Sequence, residues 1–413
     1  MTRIAMIVWN EFRNDARVLK EAQTLQSAGY AVTVFALHTP GVTLEKETLQ
    51  DGIDVVRVAR SPLWKLRKPK AGPPAAASAA NGAIGRLSPI RQVLRIAARL
   101  WTHAGLLARI ARHKAAVVHA HDVNTLPTAW LAARLSGAHL VYDAHEISTS
   151  REGYNSFRGL VAKVESLLMP RVQGSITTTD ARAKFFARAY GVPRPVVLQN
   201  RPRLTVSPDS QRIRHELQLQ HPWPIIVYQG GLQQGRGLER LVRIAASVDN
   251  AYFVFIGGGR LTAPLTALSR ELGLTERVYF IPTVSLADLP SYTASADIGV
   301  QPIENTCLNH FTTDSNKLFE YLIAGLPVVA TDLPEIRRVV KAYDIGLLVR
   351  ESDDEQLGEA INRLVKDSQL RMKLAANASA AALQLNWEQQ EMRLVDLYSC
   401  VLKGRPYSNG VHP

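Results

Sequence analysis

Residues 315–332 read SNKLFEYLIAGLPVVATD, and their order of residue types decides the fold. The stretch predicts a helix, a tight stop and a buried strand. Asp314 or Ser315 can cap the helix start, because a short oxygen-bearing side chain accepts from the free N–H groups of the first turn. Gly325 and Pro327 end it. Val328, Val329 and Ala330 then form a short apolar run, the pattern of a strand covered on both faces. Lys317 and Glu320 stand three residues apart in the first turn, hence on one face. That turn carries free N–H groups and the positive end of the helix dipole, so a lysine there adds charge where a phosphate would bind. Glu320 could accept hydrogen bonds from sugar hydroxyls. Taken alone, the same pair reads equally well as a solvated ion pair on an amphipathic helix.

Working outward, the same helix–strand alternation fills the chain. Residues 3–9 predict a strand, Asn14 or Asp15 caps a helix to about Ala28, and 31–37 and 52–59 are further strands. A helix is expected over about 88–112. Ile90, Val93, Leu94, Ala97, Leu100 and Trp101 mark one of its faces, and Arg91, Arg95 and Arg99 line another. Strands at 116–122 and 139–146 each end in histidine plus an acid. Residues 71–85 predict a mobile loop, and 201–222 a linker. A second series follows, with strands at 225–231, 252–259, 277–282, 296–302, 327–332 and 345–349. Helices are expected over 354–367 and about 369–403. The fold class is therefore α/β, as two Rossmann-like doubly wound domains facing a cleft, with ligands at the carboxyl ends of the strands. The expected boundaries are 1–203, 204–385, and 386–413 as a helix returning to the first domain plus a tail.

At 413 residues the chain is too long for one ordinary core. It is 46% hydrophobic and 21% charged, the balance of a soluble enzyme. Its apolar runs all fall short of a membrane span, and the opening run at Ile4–Trp9 predicts a first strand and not a secretory signal. Cys307 and Cys400 make no disulfide framework and no zinc quartet, which points to a reducing, cytoplasmic setting. The net charge of +13 is uneven: residues 1–205 hold 29 basic and 13 acidic residues, and 206–413 hold 20 and 23. Between Val55 and His121 there are 13 basic residues and no acid. Such a field predicts a polyanionic partner.

Four pieces, in this order, resemble the family-4 (group 1) retaining glycosyltransferases of GT-B fold: YQGGLQQGRGLERLV (228–242), the cluster Gly257-Gly258-Gly259, LPSYTASADIGVQPIE (289–304) and NKLFEYLIAGLPVV (316–329). NDARVLKEAQTLQSAGYAVTV (14–34), HAHD (119–122) and YDAHE (142–146) resemble one branch of it. The resemblance implies transfer of a hexose-type sugar from a nucleotide diphosphate donor to an acceptor hydroxyl with retention, in cell-surface polysaccharide or glycolipid synthesis. Arg236 and Lys317 match the family's two cations for the departing diphosphate, where charge builds up in the transition state. Gly230, Gly231 and Gly258 allow close backbone approach to phosphates, and Asn316 lies beside Lys317 at the helix start. Glu320 matches the residue that holds the ribose. No cofactor is implied, and with two cations and no Asp-x-Asp motif the resemblance implies no metal.

Two positions depart from the family pattern. Thr312 stands where a first glutamate often contacts the donor sugar, so Thr312, Thr313, Asn309 or backbone N–H groups inherit that contact. Gly231 stands where many members carry arginine. On the acceptor side, His121 and Asp122 end one strand and His145 and Glu146 another, the place for acceptor-binding or proton-handling groups. His121 either takes the acceptor's proton or only orients it. Asp15 and Arg17 are further candidates for acceptor contact, but read more readily as a helix cap and a surface residue. The window 60–112, with Trp64 among its basic residues, suits docking on an anionic bilayer and a lipid-linked or saccharide acceptor at the inner face of the cell membrane. The bland reading is a solvated arginine-rich face. Competing functions are a nucleotide-sugar epimerase, which needs a carboxylate set not found here, and a nucleic-acid binder, which needs aromatics among the basic residues.

Overall fold

A computed structural model describes residues 1–61, 89–151, 157–205 and 210–407. The Ala/Gly/Pro-rich stretch 71–85 and the basic loop from 62 onward lie outside the described residues. Two compact units emerge: one takes the chain up to Gln199 and again from Gln390, the other runs from Asn200 to Gln389.

Unit 1 is built on β1 (Arg3–Ile7), β2 (Ala31–His38), β3 (Lys46–Thr48), β4 (Asp54–Ala59), β5 (Val117–His121), β6 (His139–Ala144), β7 (Gly174–Thr177) and β8 (Val196–Val197). They form one sheet in the order β3-β4-β2-β1-β5-β6-β7-β8. Every pairing is parallel except β3 with β4. The short antiparallel edge strand β3 has no apolar residue and was not expected from the sequence. The strand order turns about β1 and β5, which places the switch point, where doubly wound sheets bind ligands, at His121. Helices α1 (Ala16–Ser27), α2 (Pro89–His113), α3 (Leu126–Ser136), α4 (Arg158–Leu168) and α5 (Asp180–Tyr190) are the crossovers. Asp15 caps α1 by accepting from the Val18 N–H at 3.2 Å.

Unit 2 opens with the short α6 (Arg212–Glu216), whose Ile213 is fully buried, so the expected linker is partly structured. Its sheet joins β9 (Ile225–Gln229), β10 (Tyr252–Ile256), β11 (Val278–Ile281), β12 (Ile298–Gln301), β13 (Val328–Thr331) and β14 (Gly346–Val349), all parallel, in the order β11-β10-β9-β12-β13-β14. The switch point lies at β9 and β12. Their crossovers are α7 (Leu238–Ile244), α8 (Thr262–Glu271), α9 (Leu289–Thr293), α10 (Leu308–Phe311), α11 (Asn316–Ile323) and α12 (Pro334–Tyr343), with α13 (Asp354–Lys366) and α14 (Ser368–Ala382) after the last strand. β13 is buried along its length, as its apolar run required.

Helix α11 is pinned over the switch point. Leu318, Phe319 and Leu322 are fully buried, and each contributes roughly 1.5–3 kcal/mol by leaving water. The Tyr321 hydroxyl lies 3.2 Å from the carbonyls of Val227 and Val300, on β9 and β12. Its ring lies where a Cβ on Gly299 would come within 2.4 Å, so only glycine at 299 lets the helix approach this closely. Gly325, at φ +70°, ends the helix as expected.

The expected continuous helix 369–403 is two helices. After α14 the chain turns through 383–390, and α15 (Glu391–Leu402) packs on α1 and β7 in unit 1. Trp387, fully buried, donates its N–H to Pro202 and stays with unit 2. The break falls in a stretch that contains neither Gly nor Pro.

Candidate active site

In unit 2 the first turn after β9 holds Gly230 and Gly231. The Gly230 N–H bonds to Ile256 at 2.8 Å and the Leu232 N–H to Gly258 at 3.1 Å, tying this turn to the glycine cluster after β10. A Cβ on Gly257, at φ +137°, would sit 2.1 Å from the Gly230 carbonyl, and one on Gly259 2.2 Å from that of Leu232. Gly257 and Gly259 are thus the sterically required members of the cluster. Gly258 is less crowded, its nearest neighbour being the Thr283 hydroxyl at 3.3 Å. At Gly231 a Cβ would meet nothing nearer than 3.5 Å, so the fold accepts a side chain there.

Lys317 reaches this turn from α11. Its Nζ is 5.1 Å from the centre of the Tyr228 ring, a cation–π contact. A Cβ on Gly230 would meet its Cε at 3.0 Å and Nζ at 3.1 Å. Burial, and then the Arg236 cation, push the Lys317 amine down to about 8, with Glu320 only partly opposing. A buried amine beside bare backbone, with a second cation near enough to disfavour its charge, forms a place for an anion. Glu320 accepts from the Gln229 amide at 2.6 Å, and Gln229 accepts in turn from the Thr293 hydroxyl at 2.8 Å, so the carboxylate is fixed in orientation. Asn316 is exposed at the first position of α11. Ser315 occupies the cap position at φ +54° without a side-chain cap bond, contrary to the simple capping expectation. Thr312 is buried and donates its hydroxyl to the Leu308 carbonyl at 2.7 Å.

In unit 1 the acceptor-side candidates gather at the ends of β5 and β6. His121 is 3% exposed, and burial holds its imidazole below the usual range. His145 is half-buried. Burial opposes its protonation, but the Asp143 and Asp122 carboxylates outweigh it and raise it to about 9. Its Nε2 lies 3.0 Å from Asp143 Oδ2 and 3.2 Å from His121 Nδ1. Asp122, at φ +62°, accepts from Arg151 at 3.1 Å, and Glu146 lies 3.6 Å from the same guanidinium. Asp15 uses one oxygen for the α1 cap and the other for the Asn10 amide at 2.7 Å.

The expectation that Arg17 lies on the surface is wrong. Arg17 is 4% exposed and grips Asp143 with two bonds, at 2.7 and 3.0 Å, and the Leu198 carbonyl at 2.7 Å. Glu21, also buried, lies 3.2 Å from the same guanidinium. His119 is fully buried and its Nδ1 sits 2.8 Å from the Tyr398 hydroxyl of α15. Glu21, His119, His121 and Asp143 bring ligand-type atoms within 4.8 Å of one another. Burial, and then the Asp143 carboxylate, push Glu21 up to about 8, so it holds its proton near neutral pH, while Arg17 and the His145 imidazolium face the Asp143 carboxylate; we read the group as a charge network and not as ligands. Sequence reasoning did not single out Asp143, Glu21, Tyr228 or Gln229, and within the glycine cluster it picked Gly258 and not Gly257 or Gly259. Asp143 alone carried a usable signal, since it stands two residues before His145 and shares its face of β6.

A family model described as "Glycosyl transferases group 1" matches residues 209–381, and one described as "Glycosyl transferase 4-like domain" matches 15–201. The D-inositol 3-phosphate glycosyltransferase of Xylanimonas cellulosilytica is 25% identical over 94% of this chain and 92% of its own. The phosphatidyl-myo-inositol mannosyltransferase of Mycobacterium leprae is 22% identical over the same shares, 94% and 92%. Sucrose-phosphate synthase from Thermosynechococcus elongatus superimposes with a TM-score of 0.79 at 18% identity, over 98% of this chain and 100% of that one. Anabaena HepE in complex with UDP-glucose gives 0.72 at 17%, over 97% and 100%.

Proposed function

The chain belongs to the group 1 glycosyltransferases with GT-B fold, hexosyltransferase-type enzymes, and from that premise we propose that it moves a hexose from a nucleotide diphosphate sugar to an acceptor hydroxyl with retention. One observation carries the donor half: Lys317 held against the Gly230 backbone at the unit 2 switch point, with the Arg236 cation near enough to push its amine down. The diphosphate leaves with growing negative charge, so fixed cations and N–H dipoles stabilise the transition state more than the ground state. Glu320, fixed by Gln229, accepts from ribose hydroxyls. Solved relatives in complex with UDP and UDP-glucose support a nucleotide sugar as donor. With two cations at the diphosphate the reading needs no metal. Ligand binding to the native state raises its stability, by about 2.7 kcal/mol at a hundredfold excess over Kd. At least one nucleoside diphosphate should therefore raise the melting temperature of the full chain. No shift with any of the UDP, GDP, ADP and dTDP set would count against the donor site.

The acceptor, in this reading, is a lipid-linked saccharide reached at an anionic bilayer, within cell-surface glycan synthesis. The support is helix α2. Along its first half Ile90, Val93, Leu94, Ile96, Leu100 and Trp101 are all more than half exposed. Arg95, Arg99, Arg109 and Arg112 are exposed on the same helix. Exposed large apolar side chains with only basic companions are the composition of an interfacial helix. Each Lys or Arg near such a surface adds roughly 1 kcal/mol, screened by salt. No helix among the described residues is long and apolar enough to cross a membrane. We expect the protein to pellet with vesicles containing anionic lipid at low salt, and Leu94→Glu with Trp101→Glu to abolish pelleting. Wild-type protein that stays in the supernatant would refute the docking.

A further inference from the structure

The acceptor-side histidines are not equivalent, and the buried pair behind them explains why. Asp143 lies at the centre of the network. Its Oδ1 takes the Arg17 Nη2–H at 3.0 Å, and its Oδ2 takes Arg17 Nε–H at 2.7 Å and faces His145 Nε2 at 3.0 Å. Arg17 is itself fixed at a third point, the Leu198 carbonyl, and Glu21 lies against its Nε. A carboxylate at Nε2 means that this nitrogen carries a proton. His121 Nδ1 lies 3.2 Å from this Nε2 and 3.5 Å from the same Asp143 Oδ2, so both imidazoles face one carboxylate oxygen. The His121 Nε2 is buried with no hydrogen-bond partner, whereas His145 has 21% of its side chain exposed.

From this geometry, and resting on the glycosyl-transfer reading above, we propose that the Arg17–Asp143 pair is a positioning device: it locks His145 through Nε2, so that a protonated Nδ1 is presented at the open end of β6 as a hydrogen-bond donor to an acceptor oxygen. His145 in that form donates and cannot serve as a base, and His121 supports it from behind. Every charged group around the ring enters the balance. Asp143 shares its strand, Asp122 at 3.9 Å and His121 come from the end of β5, and Arg17 and Glu21 come from α1. Arg182 on α5 donates to the His145 carbonyl at 2.7 Å. Glu146 and Arg151 pair beside it, and His119 stacks behind His121. The two carboxylates nearest the ring outweigh burial and the cations, and keep it protonated to about pH 9.

The test is the pH dependence of the full-length protein, read two ways. Carbon-13 NMR of labelled histidines should show a ring titrating near 9 in the free protein, absent in His145→Gln. With acceptor varied at saturating donor, kcat/KM should fall as pH rises through the same region. Asp143→Asn removes the carboxylate, so both the resonance and the falling limb should move toward the ordinary histidine range near 6.5. Nucleoside diphosphate binding, measured by calorimetry, should stay unchanged, because its residues lie in unit 2. Loss of that binding in the wild type would instead fault the donor reading. A wild-type His145 that titrates at or below 7 overturns the proposal without any variant. An acceptor kcat/KM that rises with pH through the His145 titration overturns it too, since that is the signature of a base. A merely structural Asp143 would lower stability and leave the limb in place.

Discussion

Lys317→Ala should lower turnover by about 10²-fold or more, the usual loss when one preorganised electrostatic group at a developing anion is removed. The lysine is closely held: its amine stands 5.1 Å from the centre of the Tyr228 ring, and a Cβ on Gly230 would meet its Cε at 3.0 Å and its Nζ at 3.1 Å. Water cannot substitute for a charge held between a helix start and a glycine turn, because it brings no fixed dipole. The same residue gives a pH signature. Its folded value, about 8, lies below the 10.4 or so of an unfolded lysine, so the folded protein loses this proton first as pH rises. Between those values stability grows with pH. A bound diphosphate reverses the shift, since an opposite charge favours the ammonium. Nucleotide binding above about pH 8 should therefore take up a proton, seen as a dependence of the binding heat on buffer ionisation. Lys317→Ala should abolish the uptake, and near-wild-type turnover in that variant would remove the clamp from the account.

Arg17→Met should cost unit 1 about 3–5 kcal/mol, because it leaves the Asp143 carboxylate buried without its cation. The methionine fills most of the volume, so the loss is electrostatic and not a cavity. It should depend on pH with a definite sign. Burial already raises Glu21 to about 8 in the wild type with Arg17 opposing, whereas Arg17 holds the Asp143 carboxyl low against its burial. Without Arg17 both rise, so the variant keeps its stability at low pH and loses more of it as pH rises through the raised Asp143 value. Calorimetric melting at pH 5 and 8 reads this as a deficit in the unit 1 transition that widens at pH 8. A variant that melts with the wild type at both would show that the pair carries no net charge burden.

Arg17 also shows where sequence reading stops. On the helix 16–27 it is one more charge beside a cap, and its burial goes with Asp143, 126 positions later, and the Leu198 carbonyl, 181 positions later. Likewise the bond between His119 and Tyr398 spans 279 positions, beyond any local pattern. What could be read was local or periodic: the α11–β13 unit, the strand ends at His121 and His145, and the α/β alternation. The three glycines at 257–259 were visible as a cluster, but only backbone packing against Gly230 and Leu232 separates the outer two from Gly258. The apolar stripe of α2 was legible as one face of a helix. That it faces outward over Ile90–Trp101 was not, since periodicity locates a face and not its neighbour.

The central claim is that the glycine turns, Arg236, Lys317 and Glu320 make unit 2 a site for a nucleotide sugar. The most direct measurement is release of nucleoside diphosphate from a panel of UDP-, GDP-, ADP- and dTDP-sugars by the full chain, with Lys317→Ala beside it. Turnover of at least one donor is expected, and its loss in the variant. Absence of both binding and turnover across the whole panel would contradict it.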